Sequence, residues 1–486
     1  MVDKNVGFIT KTIANAIGLF APKTAMSYVG WRQVLANYTA AKPGGPNKNW
    51  NPQNKSADAV LLHDRARLLA RARDLERNTA HISGAIDKIC NNVIFTGIFP
   101  QAKIRDSNSK LKKSKNTELE EIFKLWAEEV NFYEKQELVL RHLWVEGEIF
   151  VHFYFDRDLL KKGIVPLNFE LLETDFIDHT LNETAENGNQ IKAGIEYNQA
   201  GKPVNYYIFT EHPGESVFSG VFAQRRKISA DNIEHVFKPR RASQNRGISW
   251  LASIIMEMRD FSEYQSSERI AARLASAFGA FIESPYPEHQ MNHPLMGDED
   301  AVNIDDVPKY FEPGRIDVLP PGMKINVAQY DRPGNSYEPF TKTSLKSASV
   351  GTNLSYENFS NDYENSTYSS ARQAVLEERR GFRKMQFFLN RTFNGRVWNK
   401  FINFAVTAGI INIQKAVPVK WQNPGWSWID PAKDAKGAKM ELEMGINTRR
   451  RLAAERGFDW DEEIDDLAEE EKIIRDKEIK PEDEGE

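Results

Sequence analysis

Few residues in this sequence have the types and spacing that chemistry needs. Its Gly-Lys pair, Gly201 and Lys202, is followed by Pro203, so the phosphate-cradling run G-x-x-x-x-G-K-[ST] is not formed. Neither H-E-x-x-H nor the G-x-S-x-G nucleophile elbow occurs, and the single cysteine, Cys90, cannot build a thiolate zinc site. His142, Glu146 and Glu148 stand close together around WVEGEIF, where an acid or base could sit, but Gly147 and the apolar run after it read as a structural turn. Asp461, Glu462, Glu463, Asp465 and Asp466 could attract a divalent cation, yet they lack the interleaved Gly or Asn turn of a calcium loop and read as a solvated face. No metal and no cofactor is expected. What remains are polar and basic side chains. Asn361, Tyr363, Asn365, Ser366 and Thr367 form a polar stretch with little positive charge, able to offer weak, exchangeable hydrogen bonds. Lys342 and Lys346, four apart, share one helical face.

The elements that must position these groups follow from the apolar spacing. Residues 358 to 384, NFSNDYENSTYSSARQAVLEERRGFRK, change character midway. The first half has almost no aliphatic side chain and reads as a loop. The second half begins a helix running from Ser369, with Ser369 or Ser370 as cap, to about Val406, with Phe382, Leu389, Phe393, Val397 and Phe401 on its buried stripe. Gly381 is a candidate kink point. A shorter helix from about Tyr337 to Gly351 carries the two lysines. Upstream, LLHDRARLLARARDLERN sets leucines among arginines at helical spacing, and the periodicity continues through Ile82, Ile86 and Ile89. Its arginines read as solvated on a half-buried helix, with phosphate contact as the competing reading.

EIFVHFYF, PLNFELLE, IKAGIEY, PVNYYIF and IEHVF read as strands between Gly, Pro and Asn signals, giving an α+β body. From Gly247 a long helix is expected to reach about residue 282, roughly 50 Å at standard rise, with small residues such as Ala271, Ala272 and Ala275 near its end. A proline-rich insertion follows over 284–336, with short strands at GRIDVL and KINVAQ. Residues 40–58 read as a connecting arm.

The 486 residues can bury sizeable cores, and no uncharged apolar run approaches the ~18 residues of a membrane span. Within VGFITKTIANAIGLFA, Lys11 interrupts the apolar run, which therefore reads as a short amphipathic helix, and no export is expected. One cysteine fits a reducing cytosol and a packed core position. The net charge of −5 hides an asymmetry: residues 459–486 hold 15 Asp/Glu against 4 Lys/Arg, a local −11, leaving +6 on the remainder.

In order along the chain, RARLLARARDLERN with NVIFTGIFPQ, WVEGEIF, IEHVFKPRRASQNRGISWLA, AARLASAFGAFIE, LPPG and LSYENFSNDYENSTYSSAR closely resemble the lambda-type family of tailed-phage portal proteins. The resemblance spans roughly residues 30–460. It implies a ring, commonly a dodecamer, at one capsid vertex, through which double-stranded DNA is packaged and ejected, with a separate terminase supplying the ATPase. The implied fold is a portal fold with a mixed wing, long stem helices, a small α/β clip and a helical crown. Carried over, residues 1–58 are an N-terminal arm, 59–246 the wing, 247–282 the first stem helix and 283–336 the clip. Residues 337–351 are then the second stem helix, 352–369 the tunnel loop, 370–430 the wing's long helix and following strands, and 431–486 the crown and acidic tail.

Implied partners are copies of the chain, the terminase large subunit, a head-tail adaptor, and the major capsid and scaffold proteins, with no membrane. The implied location is the virion's portal vertex, after assembly in the host cytoplasm. A channel must admit DNA without gripping it, so the polar loop is expected at the DNA and most arginines in contacts with carboxylates of neighbouring subunits. Lys342 and Lys346 either form shallow positive rings along the channel or pair with a neighbour or solvent. The acidic tail either is simply solvated or faces packaged DNA and repels it. The competing function is a nucleic-acid-processing enzyme, a nuclease or maturation protease, and a third is a generic nucleic-acid-binding module.

Overall fold

The computed structural model describes residues 21, 23–24, 48–49, 52–106, 111–215, 224–277, 281–283, 324–326, 334–413 and 416–476. The chain divides into a unit of residues 1–60 and one of residues 61–486, and the second holds all that follows except the first residues of the opening helix. The N-terminal apolar run, most of the expected clip and the last ten residues lie outside the described residues.

Helix α1 (Ala57–Asn78) passes through Thr79 into α2 (Ala80–Val93), and Leu69, Leu75, Ile82, Ile86 and Ile89 are buried at the spacing that the leucines and isoleucines dictate. Cys90 is buried among them. Strand β1 (Phe99–Ala102) leads to α3 (Lys113–Glu129) and α4 (Phe132–Val145). Phe123 and Trp126 of α3 meet Phe132 of α4 and Phe401 in one aromatic cluster, with Phe123 4.9 Å from Phe401 between ring centres. Strands β2 (Glu148–Phe155), β3 (Leu167–Leu172) and, later, β9 (Ile233–Phe237) form an antiparallel sheet in the order β3-β2-β9, with the short α5 (Arg157–Lys161) between β2 and β3. A five-stranded antiparallel meander lies between them in sequence: β4 (Glu183–Thr184), β5 (Gln190–Lys192), β6 (Ile195–Tyr197), β7 (Pro203–Phe209) and β8 (Arg225–Ser229). Phe150, Leu172, Ile195, Tyr206 and Ile208 form a separate apolar cluster drawn from strands of both sheets. Of the five strand segments expected in the body, four are single strands, and IKAGIEY is two, β5 and β6, joined by a turn at Ala193 and Gly194.

Around Gly147 three of the sequence motifs converge. Gly147 has φ +87, and a Cβ there would lie 2.1 Å from the Ile248 carbonyl carbon; at Gly247 a Cβ would lie 2.3 Å from the Gly147 oxygen. Only two glycines allow these backbones to meet. Beside them Glu148, wholly buried, accepts from Arg246 Nε at 2.9 Å and Nη2 at 2.7 Å, from the Gly247 amide, and from Arg65; His235 Nε2 lies 2.9 Å away. Burial alone would raise the Glu148 carboxyl, but Arg246, Arg65 and His235 hold it well below the ordinary value. Arg73 pairs with Glu146 at 2.6 Å. Arg67, Arg71 and Arg77 of α1 are exposed as the sequence suggests. Arg65 and Arg73 are not, because this carboxylate pair draws them inward.

The long helix expected from Gly247 is shorter. Residues 247–249 are irregular and 250–254 form turns, since Gly247 and Trp250 give their amides to Glu148 and the Trp144 carbonyl, and Ser249 Oγ accepts the Leu251 amide. Helix α6 therefore covers Ile255–Ala277, 23 residues or roughly 35 Å. Phe281–Glu283 is not its last turn but strand β10, paired antiparallel with β11 (Lys324–Asn326). The Ser-Pro step at 284–285 disfavours helix there. The GRIDVL strand lies outside the described residues.

Helix α7 (Tyr337–Thr352) is followed by α8 (Tyr356–Ser360), a short helix inside the stretch read as loop, and by α9 (Tyr368–Leu389). A π-helical turn, Asn390–Asn394, joins α9 to α10 (Gly395–Thr407), so the irregularity falls there and not at Gly381. Its cause is polar: buried Asn394 accepts from Gln136 Nε2 at 3.1 Å and donates to Asn390 Oδ1 at 2.8 Å. Gly381 instead admits a neighbour, since a Cβ there would lie 2.7 Å from Asn353 Nδ2. Besides Arg380, which pairs with Glu377 one turn away, four arginines on this helical run make contacts within the chain. Arg372 pairs with Asp434 at 2.7 Å, Arg396 with Glu234 at 3.5 Å, and Arg379 and Arg383 stand 5.6 and 5.7 Å from the Trp426 ring. Arg372, Arg379 and Arg383 clamp the segment after β12 (Val419–Gln422), which pairs with β1, while Arg396 reaches β9. The chain ends in α11 (Pro431–Glu443), α12 (Arg449–Glu455) and α13 (Trp460–Asp476). Among the described residues no helix is long and apolar enough to cross a membrane.

Candidate nucleic-acid interface

The polar stretch is built on two left-handed asparagines and two caps. Asn353 ends α7 at φ 59, and Asn361 ends α8 at the same angle, a conformation that asparagine tolerates better than most side chains. Ser355 starts α8 by accepting the Asn358 amide at 3.2 Å. Thr367 starts α9: its hydroxyl accepts the Ser370 amide at 3.3 Å while Ser370 Oγ accepts the Thr367 amide at 3.1 Å. The expected cap at Ser369 or Ser370 is thus Thr367, with Ser370 as its reciprocal partner.

Two charged side chains outside the stretch hold its first half. Glu378 of α9, buried, accepts from the Ser355 amide and from Asn358 Nδ2. Lys88 of α2 donates to the Asn358 carbonyl and to Asn361 Oδ1. Burial lowers the Lys88 pKa, and the Glu378 charge offsets this in part. The second half, 362–367, is tied to α8 and to itself. Tyr356 OH donates to Asp362 Oδ2 at 2.7 Å, Tyr363 OH to Asn358 Oδ1 at 2.8 Å, and the Glu364 amide to Asp362 Oδ1 at 3.1 Å.

Of the seven residues singled out in the sequence, Asn361, Tyr363, Asn365, Ser366 and Thr367 lie together on this turn. The side chains of Asn361, Tyr363 and Thr367 are already hydrogen-bonded within the chain. Asn365 is exposed, and Ser366 Oγ is buried without a hydrogen-bond partner among the described residues. Lys342 and Lys346 share a face of α7. Lys342 donates to Glu338 at 2.6 Å, which raises its pKa, and Lys346 stands 5.4 Å from the centre of the Tyr356 ring. Sequence reasoning passed over the carboxylates Glu357, Asp362 and Glu364, which give residues 353–367 a charge of −3 with no basic residue; a direct count would have found them. It also missed Lys88 and Glu378 as anchors, which no local pattern marks.

Elsewhere, Glu173, Asp175 and His212 offer metal-capable atoms within 4.8 Å of one another. Arg73 already supplies a positive charge there, donating to Glu173 Oε2 at 3.0 Å and to Asp175.

Residues 44–386 match the family described as phage portal protein, lambda family. The chain belongs to that portal family. Curated portal relatives include a probable portal protein of Halomonas phage phiHAP-1, 25% identical over 441 residues covering 87% of this chain and 84% of that one. Portal protein B of Escherichia phage lambda is 23% identical over 496 residues, covering 93% and 91%. Among solved structures, a chain from the neck of an empty gene transfer agent particle aligns with TM-score 0.46 and 11% identity over 84% of this portal chain and 95% of its own. The helix–turn–helix of 337–389 that carries the polar stretch falls almost wholly within the family match, whose last residue is 386.

Proposed function

We propose that this portal chain assembles as a ring of about twelve copies at one capsid vertex, a non-enzymatic conduit for packaged and ejected DNA and a platform for the terminase and a head-tail adaptor. In this reading α6 and α7 are the stem, residues 352–369 form the loop at the channel, and capsid and scaffold proteins surround the ring. The particle's portal vertex is its place in the virion.

The observation that carries the reading is the charge and anchoring of 353–367. A conduit for a polyanion should not collect phosphate contacts, because each neutralised phosphate releases counterions and steepens the log–log salt dependence of binding by about 0.9. A ring presenting one lysine per subunit would make on the order of ten such contacts at once and would hold DNA in place. This loop has three carboxylates and no base, and Lys88 and Glu378 fix its first half while 362–367 projects between α8 and α9. Like charge keeps DNA from adhering. Asn365→Lys in the assembled full-length protein is expected to raise affinity for linear double-stranded DNA and to steepen its salt dependence. Affinity and salt slope equal to those of the unsubstituted ring would overturn the placement of this loop at DNA.

A further inference from the structure

Residues 462–476 of α13 are all exposed, and α11, α12 and α13 contain no buried residue. A 17-residue helix is barely longer than the ~12–15 residues below which an isolated helix is marginal, so α13 needs packing that one chain does not give it. Its pattern shows the face that needs covering. Trp460, Ile464, Leu467, Glu471 and Ile474 recur at spacings of four, three, four and three, a single stripe, and Glu463 and Glu470 run along its edge. Ile464, Leu467 and Ile474 are 41–50% exposed. Nine carboxylates against Lys472 and Arg475 give α13 a formal charge of −7.

Helix α11 is the complement. Lys436, Lys439, Glu443 and Met440, with Met444 just past its end, lie on one side, a net charge of +1; Met440 and Met444 are 52% and 66% exposed. Among the described residues neither lysine makes an ion pair, and both are exposed. Two α13 helices side by side would set −7 against −7, so self-pairing of α13 is disfavoured. An acidic apolar stripe against a basic apolar one is favoured on both counts.

We infer that α13 of one copy docks along α11 of the next copy, with Ile464, Leu467 and Ile474 against Met440 and Met444 and the flanking glutamates facing Lys436 and Lys439. The contact joins two different surfaces, so it propagates from copy to copy and ends only where a ring closes. It rests on the ring proposed above and names the surfaces that would join its subunits.

The test is the full-length chain carrying Met440→Cys and Leu467→Cys, oxidised mildly and run under denaturing, non-reducing conditions, with the same sample imaged by electron microscopy. Cys90 stays out of the reaction, being buried with its thiol pushed up to about 12 by burial. The expected result is a ladder of covalent multimers that disappears when either new cysteine is omitted. Lys436→Glu with Lys439→Glu should cut the cross-linked yield at least tenfold, and adding Glu463→Lys with Glu470→Lys should restore it. Rings without intermolecular disulfides, or a disulfide formed inside single chains, overturn the contact while leaving the ring intact. A ladder in a sample without closed rings supports the contact and overturns the ring.

Discussion

Glu148 is the residue that ties together segments of the body around residues 65, 148, 235 and 246. It neutralises Arg65 and Arg246 in a site with no access to water, and its second oxygen meets the Gly247 amide and His235. Removing one member of a buried charged group leaves the others unpaired, at a cost of about 3–5 kcal/mol. Glu148→Gln keeps the shape and removes the charge, and is expected to lower the thermal unfolding midpoint markedly at pH 7. Because the folded-state pKa is depressed, the stabilisation is complete above the ordinary carboxylate pKa and is lost as pH falls through the folded value. The gap between the two proteins should therefore narrow on acidification below about pH 4.5; a constant gap would contradict the ionic account. The turn at Gly147 could be read from the Glu-Gly-Glu sequence next to an apolar run. That Arg65, 83 positions away, ends in the same site could not, since two charges meeting across a fold leave no periodic trace.

At the scale of elements, the helix–turn–helix of 337–389 is stiff at one end of its connection. Lys88 and Glu378 clamp residues 355–361 to α2 and α9, whereas 362–367 is held by hydrogen bonds to α8 and by its own bonds and cap. A hydrogen bond to a charged group is worth about 1.5–3 kcal/mol. Lys88→Met should therefore speed amide hydrogen exchange around Phe359–Tyr363 by tenfold or more while leaving α10 protected; unchanged exchange would show that Lys88 does not anchor the turn. Apolar spacing revealed α7 to within a residue and four of the strand segments, because those elements bury one face, but it missed the turn that splits IKAGIEY into β5 and β6. It overextended α6 at both ends and put the irregularity of the α9–α10 run at Gly381. Both errors share a cause. Tertiary hydrogen bonds, from Gly247 to Glu148 and from Gln136 to Asn394, decide where the backbone leaves regular geometry, and propensity does not record them.

For the whole molecule, charge is distributed by task. Four arginines of the α9–α10 run, Arg372, Arg379, Arg383 and Arg396, contact Asp434, Trp426 and Glu234 of the same chain, and the turn between α7 and α9 is acidic. A conduit benefits from that division, since cations spent on internal contacts cannot hold DNA. Docking of α13 on α11 of a neighbouring copy, as proposed above, would cover the exposed apolar and charged faces of both helices. The most direct test of the central claim is a single-particle reconstruction of the purified full-length protein. The account predicts a closed ring whose lumen is lined, at its narrow part, by residues 361–367 of every subunit. A monomer or dimer, or a ring with that turn on its outer surface, would contradict it.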